Sequence, residues 1–270
     1  MILNYNGYQV YYESYGTGDP LIILNGIMMS TNSWKPFIEQ FSSHSRLILV
    51  DFLDQGQSSR LDGIEYKHDL QVAMLAHLIK TLDLHDVSLF GISYGGEIAI
   101  QFALAHPAVL KNLLLFNTTA WTSPWLEEVG NGWNHAASDP EAYYAATIPV
   151  IYSPQFYTRE IEWMNQRKAI LLPIFKDPRF IQAMIRLTNS SVGYNVKEQI
   201  KNIKTRTLVV SSQYDFVTPV SEQEYLVSQL ENCDYVLIPD CGHASMYEHP
   251  HLFAALVLGF VEKNNTAYHL

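Results

Sequence analysis

Short apolar runs recur along this chain, separated by longer stretches with the character of helices. Leu21–Leu24, Leu47–Asp51, Val87–Phe90, Leu113–Phe116, Thr207–Ser211 and Tyr235–Ile238 are brief, mostly aliphatic, and followed by turn-forming residues. Runs of this kind read as strands buried on both faces, the mark of a parallel sheet. Between them, Ser33–Phe41, Asp69–Leu82, Gly95–His106, Ser221–Leu230 and Pro250–Glu262 read as helices, the fourth opened by the capping box Ser221-Glu222-Gln223-Glu224. At the amino end, Asn6-Gly7 sets a type I′ turn between Ile2–Tyr5 and Tyr8–Tyr15. The alternation predicts an α/β fold, a mostly parallel twisted sheet with helices on both faces.

The strand pattern lapses between Thr119 and about Val192. There, Ser123-Pro124, Asp139-Pro140, Ser153-Pro154 and Asp177-Pro178 each place an N-capping side chain before a proline suited to the first helical position. Four such starts predict a four-helix cap over residues 119–192, inserted into a core made of 1–118 and 193–270. Trp121, Trp125, Trp133 and Trp163 lie inside this insertion. Aromatics in a small helical layer mostly form its own core, yet a cap also needs an apolar underside to seal a site. Trp121, Trp125, Tyr152, Trp163 and Phe175 are the candidates to line it, which favours an apolar acyl or aryl substrate.

The pentapeptide Gly91-Ile92-Ser93-Tyr94-Gly95 sits between the strand Val87–Phe90 and the helix that follows. A strand turning sharply into a helix leaves its apex residue strained and projecting, and demands small neighbours, which Gly91 and Gly95 supply. Ser93 is therefore the candidate nucleophile. The first turn of the helix behind it offers free N–H groups and the positive end of a dipole to an oxyanion, beginning with the amide of Tyr94.

A serine needs a base and an acid, which in this arrangement follow in the order serine, acid, histidine. The run Thr207–Ser211 ends in a turn carrying one carboxylate, Asp215, and Tyr235–Ile238 ends in Pro239-Asp240-Cys241-Gly242-His243. Asp215 is the candidate acid and His243 the candidate base, each at the carboxyl end of a strand, where open α/β sheets place their sites. Asp240 lies too near His243 along the chain to need a catalytic role, and the turn after Leu113–Phe116 offers Asn117 in place of a carboxylate.

The 270 residues carry 17 basic and 27 acidic side chains, a net charge of −10, and 48% are hydrophobic. That is enough for a large core, and the absence of a basic stripe argues against a nucleic-acid partner. With no basic leader, no cleavable apolar segment and no window long enough for a membrane span, the expectation is a cytoplasmic protein. Cys233 and Cys241 flank an extended strand, too far apart to bridge, and read as reduced packing residues.

The loop Asn25-Gly26-Ile27-Met28-Met29-Ser30 should supply a second oxyanion donor, the amide of Ile27, with Met28 beside it as a substrate contact. With this loop the constellation resembles the α/β-hydrolase superfamily, as a capped serine hydrolase, along nearly the whole chain. Asp54-Gln55-Gly56-Gln57-Ser58 also looks like that family's loop after its third strand. Most capped members have His-Gly where this chain has Asn25-Gly26. Asn25-Gly26, Met28, Ser33-Trp34 and Gly56-Gln57-Ser58 together resemble the branch with the 3-hydroxyacyl acyltransferase of rhamnolipid precursor synthesis, and enol-lactonase-like members. The resemblance implies acyl-enzyme chemistry on a small molecule. The reading is hydrolysis of a carboxylic ester, thioester or lactone through an acyl-Ser93 intermediate, with no metal or organic cofactor. Acyl transfer to a hydroxyl is the first alternative, and a slow-turnover small-molecule sensor or signalling protein the second.

Overall fold

The computed structural model of the protein describes residues 1–262. Eight strands form one sheet: β1 (Ile2–Tyr5), β2 (Tyr8–Tyr15), β3 (Pro20–Leu24), β4 (Arg46–Val50), β5 (Val87–Ile92), β6 (Leu110–Phe116), β7 (Arg206–Ser212) and β8 (Cys233–Ile238). Their order across the sheet is β1-β2-β4-β3-β5-β6-β7-β8, with β3 to β8 parallel and the hairpin β1–β2 antiparallel at one edge. Asn6 and Gly7 both take positive φ, 50° and 87°, as the tight hairpin turn demands.

The helices are α1 (Ile38–Ser42), α2 (His68–Thr81), α3 (Tyr94–Ala105), α4 (Pro124–Ala136), α5 (Pro140–Ile151), α6 (Pro154–Arg159), α7 (Ile161–Phe175), α8 (Pro178–Ser190), α9 (Val220–Gln229), α10 (Ser245–Glu248) and α11 (Pro250–Val261). Successive strand residues point to opposite faces, so each aliphatic run feeds two cores at once. Ile22, Leu24, Ile48, Val50, Leu89 and Leu113 pack with α2 and α3. Leu21, Ile23, Leu47, Leu49, Phe90 and Leu114 pack on the other face with Trp34, Phe41 and α11.

Three sequence expectations shift. The segment expected as one helix over Ser33–Phe41 is a tight 3-10 stretch, Thr31–Phe37, leading into α1, since Pro36 lacks the N–H that an α-helix would use there. The capping box at Ser221 does not form. α9 begins one residue earlier with Pro219 as its flanking residue and no side-chain cap, so Ser221 is already inside the first turn. Between β6 and β7 stand five α-helices, not four, and a 3-10 turn over Lys197–Asn202. The four expected starts each cap through Ser123, Asp139, Ser153 or Asp177, whereas α7 follows Glu160 with no side-chain cap and so leaves no capping signal in the sequence.

The second core centres on Phe253, fully buried against Trp34, Phe37, Phe90 and Phe116 at ring separations of 5.2 to 6.1 Å. Truncation there leaves a cavity that four rigid rings cannot fill. Phe253→Ala should destabilise the fold by about 3–5 kcal/mol, read as a lower urea midpoint with unchanged slope.

Candidate active site

Ser93 occupies the single residue between β5 and α3, with φ 54° and ψ −125°. That backbone is costly for a residue with a side chain and is held by its bonds. The Ser93 N–H donates to Phe116 O at 3.0 Å, and its carbonyl accepts from Gly96 N and from Thr118 Oγ1, each at 2.8 Å. The glycines are needed for closeness. A Cβ on Gly95 would stand 2.5 Å from the Leu24 carbonyl oxygen, and one on Gly91 would collide with the Gly95 backbone. Gly96 meets the same limit, 2.5 Å from the Thr118 side chain.

Asp215 lies in the turn after β7 with a wholly buried carboxylate. Its Oδ1 accepts from the amides of Val217 and Thr218 at 2.9 and 2.8 Å, and Oδ2 accepts from Asn117 Nδ2 and Thr218 Oγ1, both at 2.9 Å. His243 Nδ1 stands 2.8 Å from the same Oδ2, a contact that in the neutral ring puts the proton on Nδ1 and the lone pair on Nε2. Asn117, at the end of β6, also donates to Ser212 Oγ and accepts from Ser245 Oγ, tying three loops to the carboxylate. Sequence reading noted Asn117 only as a missing acid, and its position at a strand's carboxyl end was the available signal. Asp240 is exposed and apart from this network.

The loop after β3 is pinned from beneath. Buried Asn25 accepts from Trp34 Nε1 at 2.7 Å and donates to Val50 O at 2.9 Å. Gln55 Nε2 donates to the carbonyls of Gly26 and Ile27 at 2.8 and 3.0 Å. The loop thus passes close to the elbow: a Cβ on Gly26 would lie 3.5 Å from Ser93 Cβ. Ile27 and Tyr94 line one chamber together with Ser93.

Two chambers meet at Ser93, sharing Ile27 and Trp133. One is lined by Met28, Ile148, Tyr152, Leu171 and Met246, with His243 and Arg167. The other is lined by Tyr94, Glu97, Thr122, Asn131, Thr188 and Thr218 among others. Of the aromatic candidates, only Tyr152 reaches the cavity, and Met28 joins it. Trp121 is held at the side by its indole N–H bond to Glu222, under Lys197. Trp125 is 53% exposed and donates to Phe216 O. Trp163 packs on Tyr152 and Phe156 and faces an outer groove, while Phe175 is buried between Tyr143 and Phe180. The rotation of α4 and α7 decides the placement of Trp125, Trp163 and Phe175, whereas Trp121 and Tyr152 lie outside the helices, Trp121 bridged to Asn195 and Tyr152 just past α5. Trp133, the wall residue passed over, belongs with Gly130 to the buried face of α4. Arg167 lies against the Tyr247 ring at 4.5 Å, its Nε buried without an acceptor.

Residues 19–250 match the alpha/beta hydrolase fold family. The chain belongs to the α/β-hydrolase family. An alpha/beta hydrolase enzyme from a Medee basin deep-sea metagenome library superposes with a TM-score of 0.96 at 46% identity, covering 100% of both chains. A putative carbamate hydrolase of Azorhizobium caulinodans is 24% identical over 93% of this chain and 94% of its own length. The 2-hydroxy-6-oxo-2,4-heptadienoate hydrolase of Pseudomonas putida is 25% identical, over 91% of this chain and 90% of its own.

Within this α/β hydrolase, a second buried polar group backs the Tyr94 chamber. Ser191 Oγ donates to Glu97 Oε2 at 3.0 Å, and His68 Nε2 lies 3.0 Å from Ser191 Oγ and 3.3 Å from Glu97 Oε2. Gln101 Nε2, which can only donate, sits 2.7 Å from His68 Nδ1. That nitrogen must therefore be unprotonated, and the His68–Glu97 contact joins a neutral imidazole to the carboxyl. Burial pushes the His68 imidazole down to about 3, in keeping with the neutral ring, and pushes the Glu97 carboxyl up to about 8.

The sign of the linkage follows. Between the ordinary carboxyl range and about pH 8, native Glu97 holds a proton that the unfolded chain lacks, so this group's contribution to stability falls as pH rises. Glu97→Gln removes that dependence. Its melting temperature relative to wild type should rise steadily from pH 5 to pH 8, measured in matched buffers, and a pH-independent difference would contradict the neutral carboxyl.

Proposed function

We propose that this chain is a serine hydrolase that cleaves a carboxylic ester, thioester or lactone, with the helices of residues 119–192 as a cap over the site. The observation that carries the reading is the His243–Asp215 bond at 2.8 Å beside a strained Ser93 in a shared cavity. Ser93 Oγ attacks the carbonyl carbon as His243 Nε2 takes its proton, and the carbonyl becomes an oxyanion facing the amides of Ile27 and Tyr94. Collapse breaks the bond to the leaving oxygen or sulfur, which receives that proton from His243. Water then adds to the acyl-Ser93 carbonyl, giving its proton to His243, which returns it to Ser93 as the acid departs. Asp215 keeps the imidazole in the right tautomer and stabilises its cation.

The Met28 and Met246 wall supports an apolar portion in the substrate. Arg167 supports a negative charge on it as well, since no carboxylate pairs with this cation among the described residues. The Pseudomonas putida relative is by name a hydrolase of a carboxylate, in keeping with that feature. Cys233 and Cys241 are free thiols, which supports a cytoplasmic setting.

Ser93→Ala should abolish turnover by about 10⁴ to 10⁶ in rate while the fold persists. A fluorophosphonate probe should label the wild type at Ser93 and spare the variant, and labelling of another serine would displace the assignment. Among the carboxylates, Asp215→Asn should cost about 10⁴ in kcat, and Asp240→Asn far less. The opposite ranking in steady-state kinetics would make Asp240 the acid.

A further inference from the structure

One chamber at Ser93 is lined by two carboxyls, Glu97 and Glu127, and by no lysine, arginine or histidine, whereas the other is lined by Arg167 and by no carboxylate. Glu97, in the first turn of α3, is 4% exposed. A carboxyl so enclosed is ordinarily matched by a cation or by several donors. Glu97 has neither. Its Oε2 takes the Ser191 hydroxyl, and the His68 ring 3.3 Å away is neutral, because Gln101 holds its other nitrogen. Oε1 has no partner among the described residues and is left for the chamber that Glu97 lines. No lysine or arginine pairs with Glu97 or Glu127 among those residues. Lys67 donates to the carbonyls of Asn189 and Val192 and stays outside the lining.

We propose that Glu97 is a specificity-determining residue that pairs with a cation on the substrate, so that the portion of the preferred ester or thioester seated in this chamber carries an ammonium group. This inference rests on the reading of Ser93 as nucleophile and deepens it. The counter-ion missing from the protein arrives with the ligand and meets Oε1 in a space closed to bulk water, where a charge-assisted contact is strong. Burial without a cation pushes the Glu97 carboxyl up to about 8, and an ammonium at Oε1 favours the charged form and displaces the proton held there. A neutral alkyl group of the same shape leaves that oxygen without a partner. Glu127, at an exposed position of α4, adds a second negative charge to the same chamber, and the net charge of −10 favours the approach of a cation. Trp133, on the same wall, is the kind of aromatic neighbour that ammonium groups favour.

Two pairs of substrates, each matched in shape, isolate the charge when compared by kcat/KM. p-Nitrophenyl β-alaninate against p-nitrophenyl butyrate places it on the acyl portion, and acetylthiocholine against S-3,3-dimethylbutyl thioacetate places it on the leaving portion. An ammonium group also alters the intrinsic reactivity of an ester, so the readout is the cation-to-neutral ratio of the wild type divided by that of Glu97→Gln, which keeps the shape and an acceptor for Ser191. In at least one pair this quotient should be about tenfold or more, the strength of a hydrogen bond to a charged group. Glu127→Gln should lower the ratio of the same pair about threefold, as for an exposed charge, and decides the matter if Glu97→Gln fails to fold by circular dichroism. A ratio unmoved in both pairs by the deciding variant overturns the inference. Fluorophosphonate labelling keeps the two readings apart. Ser93 labelled, with the ratios unmoved, defeats this inference alone, while no labelling at Ser93 and no turnover of any of the four substrates defeats the nucleophile reading beneath it.

Discussion

The closeness of the first turn of α3 to the sheet is the constraint on which the site depends. Gly95 lets the helix lie against the Leu24 carbonyl, and Gly96 lets it lie against Thr118. Only at that distance does Ser93 sit in its left-handed backbone with its carbonyl bonded from Thr118 and its amide bonded to Phe116. The strain of that residue is paid for by bonds from two neighbouring elements. The same closeness brings the loop after β3 past Ser93, because β3 and β5 are adjacent parallel strands whose carboxyl ends share one edge of the sheet.

Around that elbow stand two buried carboxyls that differ in how many donors reach them. Asp215 receives four hydrogen bonds from Val217, Thr218 and Asn117, and a further one from His243. These donors hold its orientation toward the imidazole. Glu97 accepts from Ser191 and faces His68 Nε2, and burial with this short supply of donors pushes its carboxyl up. Both side chains are almost completely enclosed, so what differs between them is the number of donors that neighbouring segments supply.

The helical layer between β6 and β7 is fastened to the strand ends by polar contacts at its margins. Arg186 pairs with the buried Asp54 through two nitrogens, and Ser153 donates to Glu248 through both its amide and its hydroxyl. Glu248 also accepts from the amide of Gly242, next to His243, where a Cβ would collide with Ser153. The placement of His243 and the seat of the layer are thus coupled.

The sequence by itself determined the strand order along the chain, most of the helices, the elbow, and the three side chains at strand ends, because each of these leaves a local mark. Aliphatic runs are buried whatever their partners, a strand–serine–helix turn needs glycine, and proline after a capping side chain starts a helix in any context. What only the tertiary structure decided was direction. Tyr152 reaches the cavity while Trp121, Trp125, Trp163 and Phe175 do not, and Trp133 does, because the rotation of α4 and α7 and the path of the segments that carry Trp121 and Tyr152 come from packing against their neighbours. The fifth helix of the layer was hidden for a related reason, its start at Glu160 being set by the end of α6 instead of a cap. Asn117, Glu97 and Arg167 acquired their meaning in the same way. A buried polar side chain is defined by the donors and acceptors that distant segments bring to it, and those meet only when the chain has folded.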